Sequence, residues 1–251
     1  MAGRQGAVLV RTPSLACHGR THSRSRRIAV AGLLLFVTLL PLHADTAALD
    51  MWFETDPRAG EYRGHREQLE RFFETASEHG LPAAPLLQLL REAAAKRVPP
   101  AALKTALTRE LERLRTASQV LDDSHLHLSE TQRDDTLMNI SLYLQSGLSP
   151  DLLRTIFTER ESLTRASEAA AAVVEIRQAT TLSEPQLQRL VQALYKSSLP
   201  TGGYRSIPAA FLQAHSWGIA LEEAYEIVVR ELEAEGGLVQ INNALRRRRT
   251  R

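Results

Sequence analysis

Two carboxylates and two imidazoles fall within six residues of one another, at Asp122, Asp123, His125 and His127. Imidazole nitrogen and carboxylate oxygen together form a donor set that suits zinc and other transition metals. Side chains this close in sequence rarely all turn toward one ion, and no further, distant ligand stands out. Asp134 and Asp135 open the next helical pattern, where acids favour the helix dipole without any metal. The expectation is a solvated loop between helices, with no metal and no cofactor.

Glu159-Arg160-Glu161-Ser162 is similar to the Glu-Ser pair that opens the catalytic signature of lytic transglycosylases, which are exported helical enzymes. Such enzymes need one protonated Glu in a groove. Their signature continues into a Gly-rich segment ending in Gln, whereas here the next stretch is Ala-rich and helical. The four residues therefore read as a charged outer helix face. There is no Gly-rich phosphate loop after a strand, no Gly-x-Ser-x-Gly and no His-Glu-x-x-His. The single cysteine is Cys17, so thiol chemistry and disulfides are absent from the rest of the chain. These absences argue against the common enzyme classes.

Binding residues are the remaining chemistry. Tyr204, Arg205, Phe211 and Trp217 lie in or near a glycine-containing connection, and aromatic and Arg residues on irregular structure are the usual material of binding hot spots. The competing assignment places Phe211 and Trp217 in the core of a last helical hairpin. At the C-terminus, Arg246, Arg247, Arg248, Arg249 and Arg251 could touch an anionic lipid surface by charge alone, or stand as a solvated terminus.

The elements that position these residues are helices joined by one kind of turn. In Ser146-Gly147-Leu148-Ser149-Pro150 a helix stops at Gly147, Leu148 turns inward, Ser149 caps and Pro150 opens the next helix. Variants recur at Gly80-Leu81-Pro82, Val98-Pro99-Pro100, Leu199-Pro200 and Gly218-Ile219. Between them run amphipathic patterns. Tyr62, Leu69, Phe72, Phe73 and Ala76 share a face, as do Leu86, Leu90 and Ala94. Leu103, Leu107, Leu111, Leu114, Ser118 and Leu121 make one seam of a long helix.

Ser129 with Gln132, and Ser183 with Gln186, predict capping boxes. Pro150 opens a second long helix that runs through Leu163 to Val173, its Ala169–Ala172 run allowing a neighbour to approach closely. Thr201 to Arg205 is the longest flexible connection. Leu221, Tyr225, Val228 and Leu232 mark a last clear helix, broken at Gly236-Gly237.

Sliding the chain by 50 residues superposes Val98-Pro99-Pro100 on Leu148-Ser149-Pro150, Leu103 on Leu153 and Arg115 on Arg165. Leu199-Pro200 starts a third copy. The spacing suggests a repeat of about 50 residues: a short helix, the turn and a long helix, stacked copy on copy because one hairpin cannot bury its own face.

Composition sets the compartment. Residues 1–44 hold six of the chain's 31 basic residues and no acidic one, so the rest carries 25 against 29. Setting aside the five tail arginines leaves 20 against 29, a body of net charge −9. A body this acidic is not expected to bind nucleic acid through a broad basic face. Arg24 to Arg27, the apolar run Ile28 to Leu42 and the small residue Ala44 have the order of a secretory signal peptide.

The full expectation is an exported all-α protein of about seven or eight helices in stacked hairpins. Its parts are a signal peptide at 1–44, an irregular segment at 45–60, a helical-hairpin domain at 61–235 and a basic tail at 236–251. The expected role is a non-catalytic interaction or scaffolding module of the bacterial envelope, its partner another envelope protein. The alternatives are a cell-wall hydrolase or a peripheral membrane protein using its arginine tail.

Overall fold

The computed structural model describes residues 44–158 and 162–250, and every regular element among them is helical. In order these are α1 (Ala44–Thr55), a 3-10 segment (Pro57–His65), α2 (Arg66–Glu78), α3 (Ala84–Lys96), α4 (Pro100–Asp123) and α5 (Glu130–Gln145). Then come α6 (Pro150–Ile156), α7 (Leu163–Ala179), α8 (Glu184–Lys196), a second 3-10 segment (Thr201–Ser206), α9 (Ile207–Ser216), α10 (Leu221–Glu233) and α11 (Leu238–Arg249). The chain is all-α, with more helices than the seven or eight expected.

One joint recurs five times. A residue in the left-handed region closes the helix, and the next residue donates its N–H back to the carbonyl five positions earlier. The pairs are Leu81 to Ala76 (2.9 Å), Val98 to Ala93 (2.9 Å), Leu148 to Tyr143 (3.1 Å), Ile219 to Ala214 (3.0 Å) and Gly236 to Glu231 (2.8 Å). Glycine takes the left-handed position at Gly80, Gly147 and Gly218, but Arg97 and Glu235 adopt φ of 53° and 56° with a Cβ in place. Leu81, Leu148 and Ile219 are buried, so each of these joints also plugs the core. Both expected capping boxes are present: Gln132 accepts from the Ser129 N–H at 3.1 Å, and Gln186 from the Ser183 N–H at 2.8 Å.

Several expectations need correction. Residues 45–60 are α1 and a 3-10 turn rather than an irregular segment. Leu49, Trp52 and Phe53, at i, i+3 and i+4, bury one face of α1 completely enough to hold it. The Trp52 ring lies 4.9 Å from Phe53 and 6.1 Å from Tyr62, whose hydroxyl donates to the Val98 carbonyl at 2.7 Å. The long helix expected from Pro150 is two: α6 ends where Phe157 leaves helical geometry (φ −91°, ψ 77°), and Ser162 caps α7 by accepting from the Arg165 N–H at 3.2 Å. Thr201 to Arg205 is 3-10 helix, not a flexible connection. The tail from 238 is helical because Ile241, Ala244 and Leu245, again i, i+3, i+4, are buried.

The 50-residue spacing survives in the joints. Pro99, Ser149 and Pro200 share one extended cap geometry, with ψ of 142°, 156° and 149°. The segments they introduce differ: a 24-residue helix, a seven-residue helix and a 3-10 segment.

The apolar side chains form two clusters. The first runs from Leu49 to Leu114, the second from Ala117 to Leu245. Only α4 contributes to both, with Leu103 to Leu114 in one and Ala117 to Leu121 in the other. Near this junction sits Glu110, the one buried carboxylate among the described residues; it pairs with Arg113 one turn on and accepts from the Ser141 hydroxyl of α5 at 2.9 Å.

Candidate functional site

Tyr204 was expected at a binding surface, and its side chain is fully buried. The small residues of α7 let the 3-10 segment lie close, and Tyr204 fills the space so made. Its hydroxyl donates to the Leu194 carbonyl (3.1 Å) and accepts from Arg165 Nε (2.6 Å). Arg165 Nη2 donates to the Tyr195 carbonyl (2.7 Å), and the guanidinium lies 5.3 and 5.9 Å from the Tyr195 and Tyr204 ring centres. The Tyr195 hydroxyl closes the set by donating to the Ile156 carbonyl at 2.6 Å. Arg165 thus ties α6, α7, α8 and the 3-10 segment together, and Tyr204 belongs to that knot rather than to a docking face.

Arg205 is exposed but committed. It makes a two-point contact with Glu168 at 2.5 and 3.2 Å, and this carboxylate holds its guanidinium above the usual range. Phe211 is core, as the competing assignment had it, and Trp217 is half-buried with the Arg249 guanidinium 5.6 Å from its ring centre. Of the four expected residues, Phe211 lines a concave surface. A groove of about 380 Å³ opens between the end of α7, α9 and α10, with Phe211, Ile219, Leu221 and Ala224 inside and His215 and Leu212 at the edge. Leu212 is 55% exposed, one of very few large apolar side chains left in solvent.

In the arginine tail, Arg248 pairs with Glu223 of α10 and Arg249 stacks on Trp217. Arg246 and Arg247 are exposed and form no ion pair among the described residues. Arg251 lies outside the described residues, as do Glu159 to Glu161 and all of the expected leader at 1–44 except Ala44, the first residue of α1.

The acidic pair before the His-containing loop is engaged by cations. Asp122 accepts from Arg133 at 3.0 Å and Asp123 from Arg154 at 2.8 Å, while His125 adopts a left-handed backbone at the end of α4. Among the described residues no cluster of His, Cys, Asp and Glu has the arrangement of a metal site.

A second groove, of about 340 Å³ between α2 and α4, escaped sequence reasoning. It carries Arg71, Lys104 and Arg115 around Phe72 and Leu111. The signal was present as two helical faces, at 68/71/72/75 and 104/108/111/115, but nothing in either stretch says that they meet.

No protein-family model matches this chain, and no curated protein or solved structure matches it. Its class is therefore what the fold defines, an all-α protein.

Proposed function

We propose that this chain is an exported, non-catalytic helical protein that serves as an interaction or scaffolding module in the bacterial envelope. The observation that carries the reading is the groove between α7, α9 and α10. It is concave, its lining is mainly apolar with Gln178, Thr180 and Thr181 among it, and Leu212 stands exposed there. An exposed apolar side chain beside an apolar depression is the pattern of a surface that another protein covers. Its dimensions suit one or two anchor side chains of an amphipathic helix from a second envelope protein. Export rests on the order of basic flank, apolar run and small residue before Asp45.

The hydrolase alternative needs a solvent-facing acid in a groove. Glu110 is held by Arg113 and Ser141 and lines neither groove, while Glu112 stands exposed on the rim of the groove between α2 and α4. The peripheral-membrane alternative has Arg246 and Arg247 in its favour, both exposed on α11.

A photoreactive residue placed at Leu212 in the native envelope tests the reading, with the same residue at Arg109 as control. A discrete adduct from position 212 alone is expected. Identical patterns from both positions would remove the groove as a docking face.

A further inference from the structure

The geometry points to a binding site, in the groove between α2 and α4, for a phosphate ester with a small apolar body. The groove arises from two helical faces. On α2, Gln68, Arg71 and Phe72 stand at i, i+3 and i+4; on α4, Lys104, Leu111 and Arg115 stand at i, i+7 and i+11. The two helices pack together, so these faces meet. Leu111 is buried and Phe72 half-buried, giving an apolar floor under cationic walls.

The charges are what single the groove out. The body of this protein is acidic; Arg66, Arg113, Arg133, Arg154, Arg189, Arg205, Arg230 and Arg248 each meet a carboxylate, and others without one, such as Arg91, Arg109, Arg246 and Arg247, are exposed. Arg71, Lys104 and Arg115 line one groove, and none makes an ion pair among the described residues. Arg115 Nε is moreover buried with no hydrogen-bond partner. A buried donor without a partner and three like charges side by side both disfavour the empty state. An anion in the groove relieves the crowding of like charge. The one acid on the rim, Glu112, is exposed and makes no ion pair with Arg115, three residues on.

Two features choose phosphate. Two guanidiniums and an ammonium, with the Gln68 amide beside them, offer more donors than one carboxylate can accept, and guanidinium forks match phosphate oxygens. The volume of about 340 Å³ lies at the lower end for small-molecule sites. A smaller recess of about 220 Å³ continues past Gln68, Phe72 and Lys104 toward Leu69 and Pro100, where an apolar body would lie.

Calorimetric titration of the full-length chain with phenyl phosphate and with inorganic phosphate tests the site, alongside sedimentation with phosphatidylglycerol vesicles. Saturable binding of phenyl phosphate, tighter than that of inorganic phosphate, is expected. Arg71→Ala and Lys104→Ala should each weaken it by about tenfold, the effect of losing one charge-assisted contact. Arg109→Ala, an exposed cation of α4 outside the groove, should leave it unchanged. Arg115→Met keeps the stem and removes the orphan donor, so it should abolish binding while raising the Tm of the unliganded protein. Vesicle binding that Lys104→Ala abolishes would identify a lipid headgroup as the source of the phosphate. Absence of binding at millimolar phenyl phosphate together with indifference of vesicle binding to Lys104→Ala overturns the proposal. So does equal weakening by Arg109→Ala, or a lowered Tm in Arg115→Met.

Discussion

Arg115 of α4 and Arg165 of α7 stand 50 residues apart, and their surroundings differ completely. Arg165 finds a tyrosine hydroxyl, a main-chain carbonyl and two aromatic faces, all supplied by the chain itself. Arg115 finds an apolar floor, two further cations and nothing for its Nε. The same difference runs through the halves around them. The second apolar cluster closes over its arginine with the 3-10 segment at 201–206, whereas the 3-10 segment of the first, at 57–65, does not line the groove between α2 and α4. An arginine inside a helical stack is thus a structural knot when the chain supplies its acceptors and a ligand group when it does not.

The comparison breaks most easily at Arg165. Arg165→Ala leaves the Tyr204 hydroxyl and the Tyr195 carbonyl without their charged donor, and should cost about 2–4 kcal/mol of stability in urea denaturation. Arg115→Ala should cost less than about 1 kcal/mol, since no contact of its head group is lost. Equal losses would mean that both arginines are structural.

The joints sharpen it at a smaller scale. Arg97 closes α3 in the first half and Glu235 closes α10 in the second, each with a left-handed backbone that glycine holds without strain. Arg97→Gly and Glu235→Gly should each stabilise by about 0.5–1 kcal/mol, seen as a raised Tm. Gly147→Ala should destabilise by a similar amount, since its φ is 92°. A loss on Arg97→Gly would show that this side chain does more than end a helix.

The smallest effect is electrostatic. The Arg189 guanidinium holds the exposed Glu233 carboxyl below its ordinary value near 4.5. A depressed folded-state pKa gives stability that is present above the unfolded value and lost as pH falls through the folded one. Acid titration of Tm below pH 4.5 should therefore be slightly shallower in Glu233→Gln than in the parent. Parallel curves would assign the pair no net role, as is common for exposed ion pairs.

What was legible in the sequence was whatever one helix decides for itself. The spacing of Leu103, Leu107, Leu111 and Leu114 specifies the seam of α4, and Ser129 with Gln132 specifies the cap of α5. The face formed by Leu49, Trp52 and Phe53 was equally regular but only one turn long, too short to stand out from irregular chain. Tyr204 was misplaced because glycines at 202 and 203 suggest exposure. Its burial depends on the alanines of α7, some 35 residues earlier, whose bareness was legible but whose occupant was not. The cationic groove lies further from reach, since both of its faces are ordinary outer helix surface until α2 and α4 are set side by side.

A helix of 24 residues is about 36 Å long, and α4 serves one apolar cluster with its first half and the other with its second. Neither half of the molecule can melt without stripping part of this shared beam. The consequence is cooperativity: amide protons on both flanks of Glu110 should exchange through one common opening, at one common rate-limiting free energy, and a protease should find either the whole body or nothing to cut.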